Sequence, residues 1–110
     1  MPHCVYIVEC ADNSLYTGYT TDVERRLTQH NNGDGAKYTR GRTPVTVRYV
    51  EYHDSQSTAM AREYDIKQLT REYKEELIPD SAERTRVVFS DNLPANDRNK
   101  DIDGRSHRDV

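Results

Sequence analysis

The spacing of apolar and polar positions changes repeatedly along the first 79 residues and divides them into short elements. His3 to Cys10 is rich in β-branched and aromatic residues and reads as a strand, with Tyr6, Val8 and Cys10 on one face and Val5, Ile7 and Glu9 on the other. The turn-forming run Ala11-Asp12-Asn13-Ser14 follows, and Leu15 to Tyr19 returns as a second strand. An antiparallel hairpin should therefore bring the region of Tyr6 near that of Tyr16. Thr21-Asp22-Val23-Glu24 has the form of a capping box opening a helix. On that helix Val23 and Leu27 form an apolar stripe, and Arg26 and His30, four apart, point to one side beside it. Asn31-Asn32-Gly33 supplies the stop.

A polar, glycine-punctuated loop from Gly33 to Pro44 precedes a third strand, Val45 to Tyr52, whose alternation places Val45, Val47, Tyr49 and Glu51 on one face. Asp54 or Ser55 caps a longer helix reaching about Leu69, on which Ala59, Arg62, Glu63, Ile66 and Lys67 occupy neighbouring positions. Thr70 opens a last short helix, Arg71 to Ile78, which Pro79 ends. Beyond Ile78 apolar residues thin out, and Val87-Val88-Phe89 is the only later cluster. From Asp80 on there are six basic and seven acidic residues. The expected organisation is one domain over residues 1–79 and a polar tail over 80–110, disordered or only locally ordered because it has little apolar surface to bury.

The formal net charge of -3 excludes a protein that coats nucleic acid by bulk charge. Its distribution alters the picture. Between Arg25 and Arg48 stand six basic residues (Arg25, Arg26, Lys37, Arg40, Arg42 and Arg48) and one acidic residue, Asp34, a local excess of five positive charges. Such a patch on a weakly acidic protein suits a localised phosphate contact. Cys4 and Cys10 fall on one face of the first strand, too far apart to bond to each other, and fit no metal spacing, which points to buried free thiols. No apolar run approaches the roughly 18 residues of a membrane span, and no signal-peptide pattern is visible. A cytoplasmic location without membrane contact is expected.

Val5-Tyr6-Ile7, Tyr16-Thr17-Gly18, Arg26, His30 and Glu63, in that order and spacing, resemble the GIY-YIG nuclease superfamily. The chain is most similar to its small stand-alone prokaryotic (UPF0213-like) members, in which blocks like Ala36-Lys37-Tyr38-Thr39-Arg40 and Arg62-Glu63-Tyr64-Asp65-Ile66-Lys67 recur. The resemblance covers residues 3–78 and implies an α+β fold, a three-stranded antiparallel sheet flanked by helices, and single-metal phosphodiester hydrolysis. Departures are Val5 and Thr17 in the two triplets, Tyr19 and Thr20 where several relatives place a lysine, and no asparagine between Glu63 and Ile78.

The roles so implied follow the needs of the reaction: a deprotonated water, neutralised phosphorane oxygens and a stabilised leaving 3′ oxygen. Glu63 would be the one protein ligand of an Mg²⁺ or Mn²⁺ that keeps several waters. Arg26 would grip the scissile phosphate with a charge that does not titrate away. Tyr6 or Tyr16 would be the general base, with Tyr16, next to Gly18, slightly favoured. A free tyrosine pKa of about 10 means that its surroundings must assist. His30 would orient the nucleophile or contact the phosphate. Gly18 would permit a close approach, and Lys37, Tyr38, Arg40 and Arg42 would form the nucleic-acid grip by stacking and phosphate pairing.

Three functions compete at this point. The first is a metal-dependent endonuclease acting on DNA in repair or processing, with RNA left open as substrate and specificity drawn from nucleic-acid structure, from a partner protein or from the loop between Gly33 and Pro44. The second is a catalytically weak or inactive nucleic-acid-binding module on the same fold. The third is a protein-interaction domain.

Overall fold

A computed structural model describes residues 2–80 and 84–90. Its elements in chain order are β1 (His3–Glu9), β2 (Leu15–Thr20), α1 (Val23–Asn31), a 3-10 turn (Lys37–Thr39), β3 (Thr46–His53), α2 (Gln56–Lys67), α3 (Arg71–Leu77) and β4 (Arg86–Phe89). The sheet order is β2-β1-β3-β4, with β1 antiparallel to both neighbours and β4 parallel to β3.

β1 is buried on both faces, which is why its sequence is apolar almost throughout. Cys4, Tyr6, Val8 and Cys10 pack with Val45 and Val50 beneath Val23 and Leu27 of α1. Val5 and Ile7 pack on the opposite face with Tyr49, Ala59 and Ile66, joined by Leu69, Leu77 and Ile78 from the α2 and α3 side. Each fully buried aliphatic side chain contributes about 1.5–3 kcal/mol relative to exposure. Cys4 and Cys10 are free and buried.

The sheet has four strands where three were expected. The sequence signal of β4 is a short apolar run between charged residues, and contacts distant in sequence order it. Val88 packs into the α2-side core, Phe89 stacks on Tyr52 with ring centroids 5.3 Å apart, and the Thr85 hydroxyl donates to the Val47 carbonyl at 2.7 Å. Residues 81–83 and 91–110, the rest of the expected tail, lie outside the described residues.

Two further expectations change. The alternation along β3 breaks at a β-bulge: Ile7 pairs with Tyr49 but Val8 pairs with Val47, so Arg48 is the extra residue. Val45 and Val47 therefore lie on the α1 face and Tyr49 on the α2 face. Arg48, counted above in the basic patch, is buried and ion-paired to Glu9, and it also donates to the Pro79 carbonyl at 2.7 Å. It is a structural tie. At α1 the N-cap is Asp22 rather than Thr21, its carboxylate accepting from the Arg25 N–H at 3.1 Å, while the Thr20 hydroxyl accepts from the Asp22 N–H. Ser55 and Thr70 cap α2 and α3.

The loop after α1 is pinned at both ends. Asn31 brackets Val45, accepting from its N–H at 2.7 Å and donating to its carbonyl at 3.3 Å. The Ala11 N–H donates to the Arg42 carbonyl at 2.7 Å. These bonds turn the loop back over the β1–β2 hairpin.

Candidate active site

Tyr6, at the middle of β1, sends its ring to the α1 face and is only 2% exposed. Its hydroxyl lies 2.8 Å from Nε2 of His30, on the last turn of α1. His30 is fully buried, and its Nδ1 lies 2.8 Å from the Thr39 hydroxyl, which itself donates to the Ala36 carbonyl at 2.9 Å. Because the Thr39 proton is committed to Ala36, its oxygen accepts from Nδ1–H, leaving Nε2 bare to accept from Tyr6. The result is a directed chain, Tyr6 to His30 to Thr39 to a backbone carbonyl.

Two glycines make room for it. A Cβ on Gly18, opposite Tyr6 in the β2 register, would lie 2.5 Å from the Tyr6 hydroxyl oxygen. A Cβ on Gly35 would lie 2.3 Å from Nδ1 of His30. The close approach expected at Gly18 is thus made by the ring of Tyr6 itself, and Gly18 is buried rather than presented to a ligand.

Burial pushes the Tyr6 hydroxyl up to about 12, Arg26 pulls it down, and the Glu63 carboxylate, with Tyr16 whenever it is ionised, adds to the rise. Arg26, Tyr16 and Glu63 are therefore the groups whose charge the Tyr6 oxygen feels. Burial, followed by the Arg26 charge, lowers the pKa of His30, which keeps its Nε2 free to accept a proton at neutral pH. Arg26 is half-buried and donates to the Gln29 side-chain oxygen at 3.0 Å.

Tyr16 joins the cluster from β2, with its ring centroid 5.5 Å from His30 edge-on and 6.4 Å from Tyr6. Tyr38 of the loop stacks on Tyr16 at 5.8 Å, and the Arg42 guanidinium lies 4.3 Å above the Tyr38 ring centroid. Arg42 also donates to the Tyr38 carbonyl at 2.6 Å and pairs with Asp12 of the hairpin turn at 3.0 Å. Lys37 and Arg40 flank this stack, exposed on and just after the 3-10 turn. Glu63 enters from α2 with its side chain 15% exposed, 3.3 Å from the Lys67 ammonium.

The structure thus gathers Tyr6, Tyr16, Arg26, His30 and Glu63 around one hydroxyl, with Tyr38 and Arg42 above Tyr16. It places His30 behind Tyr6, with both ring nitrogens taken up by the Tyr6 and Thr39 hydroxyls. Thr39, part of the Ala36-Lys37-Tyr38-Thr39-Arg40 block, and Gly35 have no site role legible in the sequence, because a loop threonine and a loop glycine have ordinary turn roles. Among the described residues no three His, Cys, Asp or Glu side chains converge as a metal cage. The donor set fits a hard divalent cation that takes one carboxylate, Glu63, and fills its remaining positions with water.

Residues 2–76 match the GIY-YIG catalytic domain family. The chain belongs to the GIY-YIG family. It is 67% identical over 75 residues to a UPF0213 protein of Halobacterium salinarum, an alignment covering 68% of this chain and 97% of that protein. It is 57% identical over 74 residues to a UPF0213 protein of Bacillus cereus, covering 67% and 77% of the two chains. Among solved structures it is similar to a protein of E. faecalis determined by NMR, with a TM-score of 0.50 and 46% identity over 69% of this chain and 81% of that one. Membership of a GIY-YIG nuclease family implies nuclease activity on nucleic acid. Among the described residues no helix is long and apolar enough to cross a membrane.

Proposed function

We propose that the protein is a divalent-metal-dependent endonuclease that hydrolyses phosphodiester bonds, with DNA as substrate in repair or processing. The observation that carries this reading is the Tyr6–His30 hydrogen bond of 2.8 Å, with Arg26 and Glu63 acting on the same hydroxyl. A tyrosine held near 12 is a poor base alone. Paired with a neutral histidine, it need never exist as free phenolate.

As the attacking water gives a proton to the Tyr6 oxygen, Tyr6 passes its own proton to Nε2 of His30. Nδ1–H stays on Thr39, which holds the tautomer and the ring. The hydroxide oxygen forms its bond to phosphorus, the bond to the leaving 3′ oxygen breaks, and that oxygen takes a proton from solvent. Arg26 grips the non-bridging oxygens. Mg²⁺ or Mn²⁺ held by Glu63 would supply positive charge to the phosphate and the leaving oxygen. Among the described residues Tyr16 has no proton acceptor of this kind, so we assign the base to Tyr6 and give Tyr16 the role of seating Tyr38. Lys37, Tyr38, Arg40 and Arg42 grip the nucleic acid beside the reacting phosphate. Substrate choice then comes from nucleic-acid structure, from a partner protein or from the loop between Gly33 and Pro44, and the site works in the cytoplasm.

Conversion of supercoiled plasmid to open circles in Mg²⁺, Mn²⁺ or EDTA tests the reading. Wild type should nick only with metal, and Glu63→Ala and Arg26→Ala should abolish nicking while remaining folded. Nicking that persists in EDTA or in Glu63→Ala would overturn it. The Glu63–Lys67 ion pair favours a second reading, a binding module whose carboxylate is already satisfied. In that case Glu63→Ala leaves DNA affinity unchanged or raises it, and no metal supports nicking.

A further inference from the structure

The strand that carries the second tyrosine triplet, Leu15–Thr20, has no cation of its own. The cation on this side of the site comes instead from the end of α2. Lys67 lies one helical turn after Glu63, its ammonium 3.3 Å from a Glu63 carboxylate oxygen and 5.9 Å from the Tyr16 ring centroid. Its side chain is 46% exposed, whereas that of Glu63 is 15% exposed, so the ammonium closes the solvent side of a carboxylate otherwise enclosed by protein. Lys74 of α3 is near enough for the charge of Lys67 to bear on it.

We propose that Lys67 is a positioning residue that couples metal loading to substrate grip. It holds Glu63 while no divalent ion is bound, and once an ion takes that carboxylate it turns to a phosphate oxygen of the bound nucleic acid. This rests on the hydrolytic reading above, with Glu63 as the metal ligand. The physical basis is competition: two cations cannot both be paired closely to one mostly buried carboxylate, and the compact, mobile ammonium is the one that can leave. Among the described residues Glu63 is the only carboxylate paired with Lys67, so the released ammonium faces the solvent side where a phosphate backbone would lie.

Titration with Mn²⁺ alone, read by the paramagnetic resonance of the free ion, separates the possibilities in wild type, Lys67→Met and Glu63→Gln. Lys67→Met should bind Mn²⁺ about two- to fivefold more tightly, as expected for loss of a partly exposed ion pair that competes with the metal. Binding of a 20-base-pair duplex in Ca²⁺ should show a log affinity against log salt slope flatter by about 0.9 in Lys67→Met, corresponding to one lost phosphate contact. In EDTA the slopes of the two proteins should coincide, and Lys67→Arg should restore the steeper slope in Ca²⁺. If Glu63→Gln weakens Mn²⁺ binding but Lys67→Met leaves it unchanged or weaker, the coupling role is overturned and the metal site stands. A slope change of equal size in EDTA would likewise overturn the coupling and make Lys67 an ordinary surface contact. If Glu63→Gln leaves Mn²⁺ binding unchanged, both the coupling and the metal-site reading fall.

Discussion

Each face of the sheet buries a network built on a tyrosine and a histidine, and the two networks differ in kind. On the α1 face Tyr6, His30 and Thr39 form a neutral chain ending on the Ala36 carbonyl. Its other end, the Tyr6 oxygen, lies within reach of the charges of Arg26, Tyr16 and Glu63. On the α2 face Tyr49 donates to Glu51, His53 contacts Glu51 at 2.6 Å, and Arg62 places its Nε 3.0 and 3.1 Å from the two Glu51 oxygens. Glu51 is fully buried there. Burial alone would raise its pKa, but the His53 hydrogen bond, the Arg62 charge and the Tyr49 hydroxyl outweigh it and hold the carboxyl below its ordinary range. The charged network ties α2 to β3 and runs on from His53 to the Thr58 hydroxyl at 3.2 Å, whereas the neutral network ends on the Tyr6 hydroxyl, the end to which the proposed function assigns the chemistry. Burial and residue type are thus shared by both. What distinguishes a site is an end left open toward groups that can meet a substrate.

The sharpest way to break the α2-face network is Glu51→Ala, which takes from Arg62, His53 and Tyr49 the carboxylate they share. Loss of one partner of a buried ion pair costs about 3–5 kcal/mol, and urea unfolding should show it. A change under about 1 kcal/mol would mean that the network does not hold the fold. Gly18→Ala breaks the α1-face network by space instead of charge, because the new Cβ would lie 2.5 Å from the Tyr6 oxygen and 2.6 Å from its ring. Displacing a packed ring costs about 1–3 kcal/mol. Nicking should fall by roughly tenfold or more as Tyr6 leaves His30. Wild-type nicking by Gly18→Ala would show that the position of Tyr6 does not matter.

The sequence disclosed much of this through local signals. The hairpin, the helix stops and the Ser55 and Thr70 caps are each set by residues within a few positions of one another, and such patterns are readable one segment at a time. The order of Tyr6, Tyr16, Arg26, His30 and Glu63 was readable through resemblance. What was hidden depends on pairing. The bulge at Arg48 exists only in register with β1, β4 only against β3 and Tyr52, and the burial of Arg48 only once Glu9 and the Pro79 carbonyl are in place. Glu51 read as a residue on a strand face, since nothing local announces that Arg62 and His53 will enclose it. The contact of Thr39 with His30 was hidden for the same reason.

One departure in the second triplet gives a smaller prediction on the α2 side. Thr17 is 2% exposed, and its hydroxyl has no hydrogen-bond partner among the described residues. Thr17→Val should raise the unfolding free energy by about 1 kcal/mol by removing an unsatisfied buried oxygen of similar shape. A loss of stability would show that the hydroxyl is satisfied in solution.

The two networks should also separate on a pH scale. His30 resists protonation in the folded state, so the unfolded chain binds more protons below its own histidine pKa of about 6.5. Stability should therefore decline as pH falls from about 6.5 toward the lowered folded pKa. Glu51 is favoured as a carboxylate in the folded state, so its contribution is present above an unfolded pKa of about 4.3 and is lost as pH falls through its folded value. In His30→Gln the upper limb should flatten while the lower limb stays. An unchanged upper limb would remove His30 as its source.

The most direct test of the Tyr6–His30 chain as the reactive network is the metal-supported plasmid-nicking rate of Tyr6→Phe set beside that of Tyr49→Phe. Each substitution removes one buried hydroxyl of the same chemistry, on opposite faces of the sheet. Loss of a general base predicts at least a hundredfold fall for Tyr6→Phe, and Tyr49→Phe should keep a rate near wild type when assayed well below its unfolding temperature. Nicking by Tyr6→Phe at the wild-type rate would contradict the account and return the role of base to Tyr16.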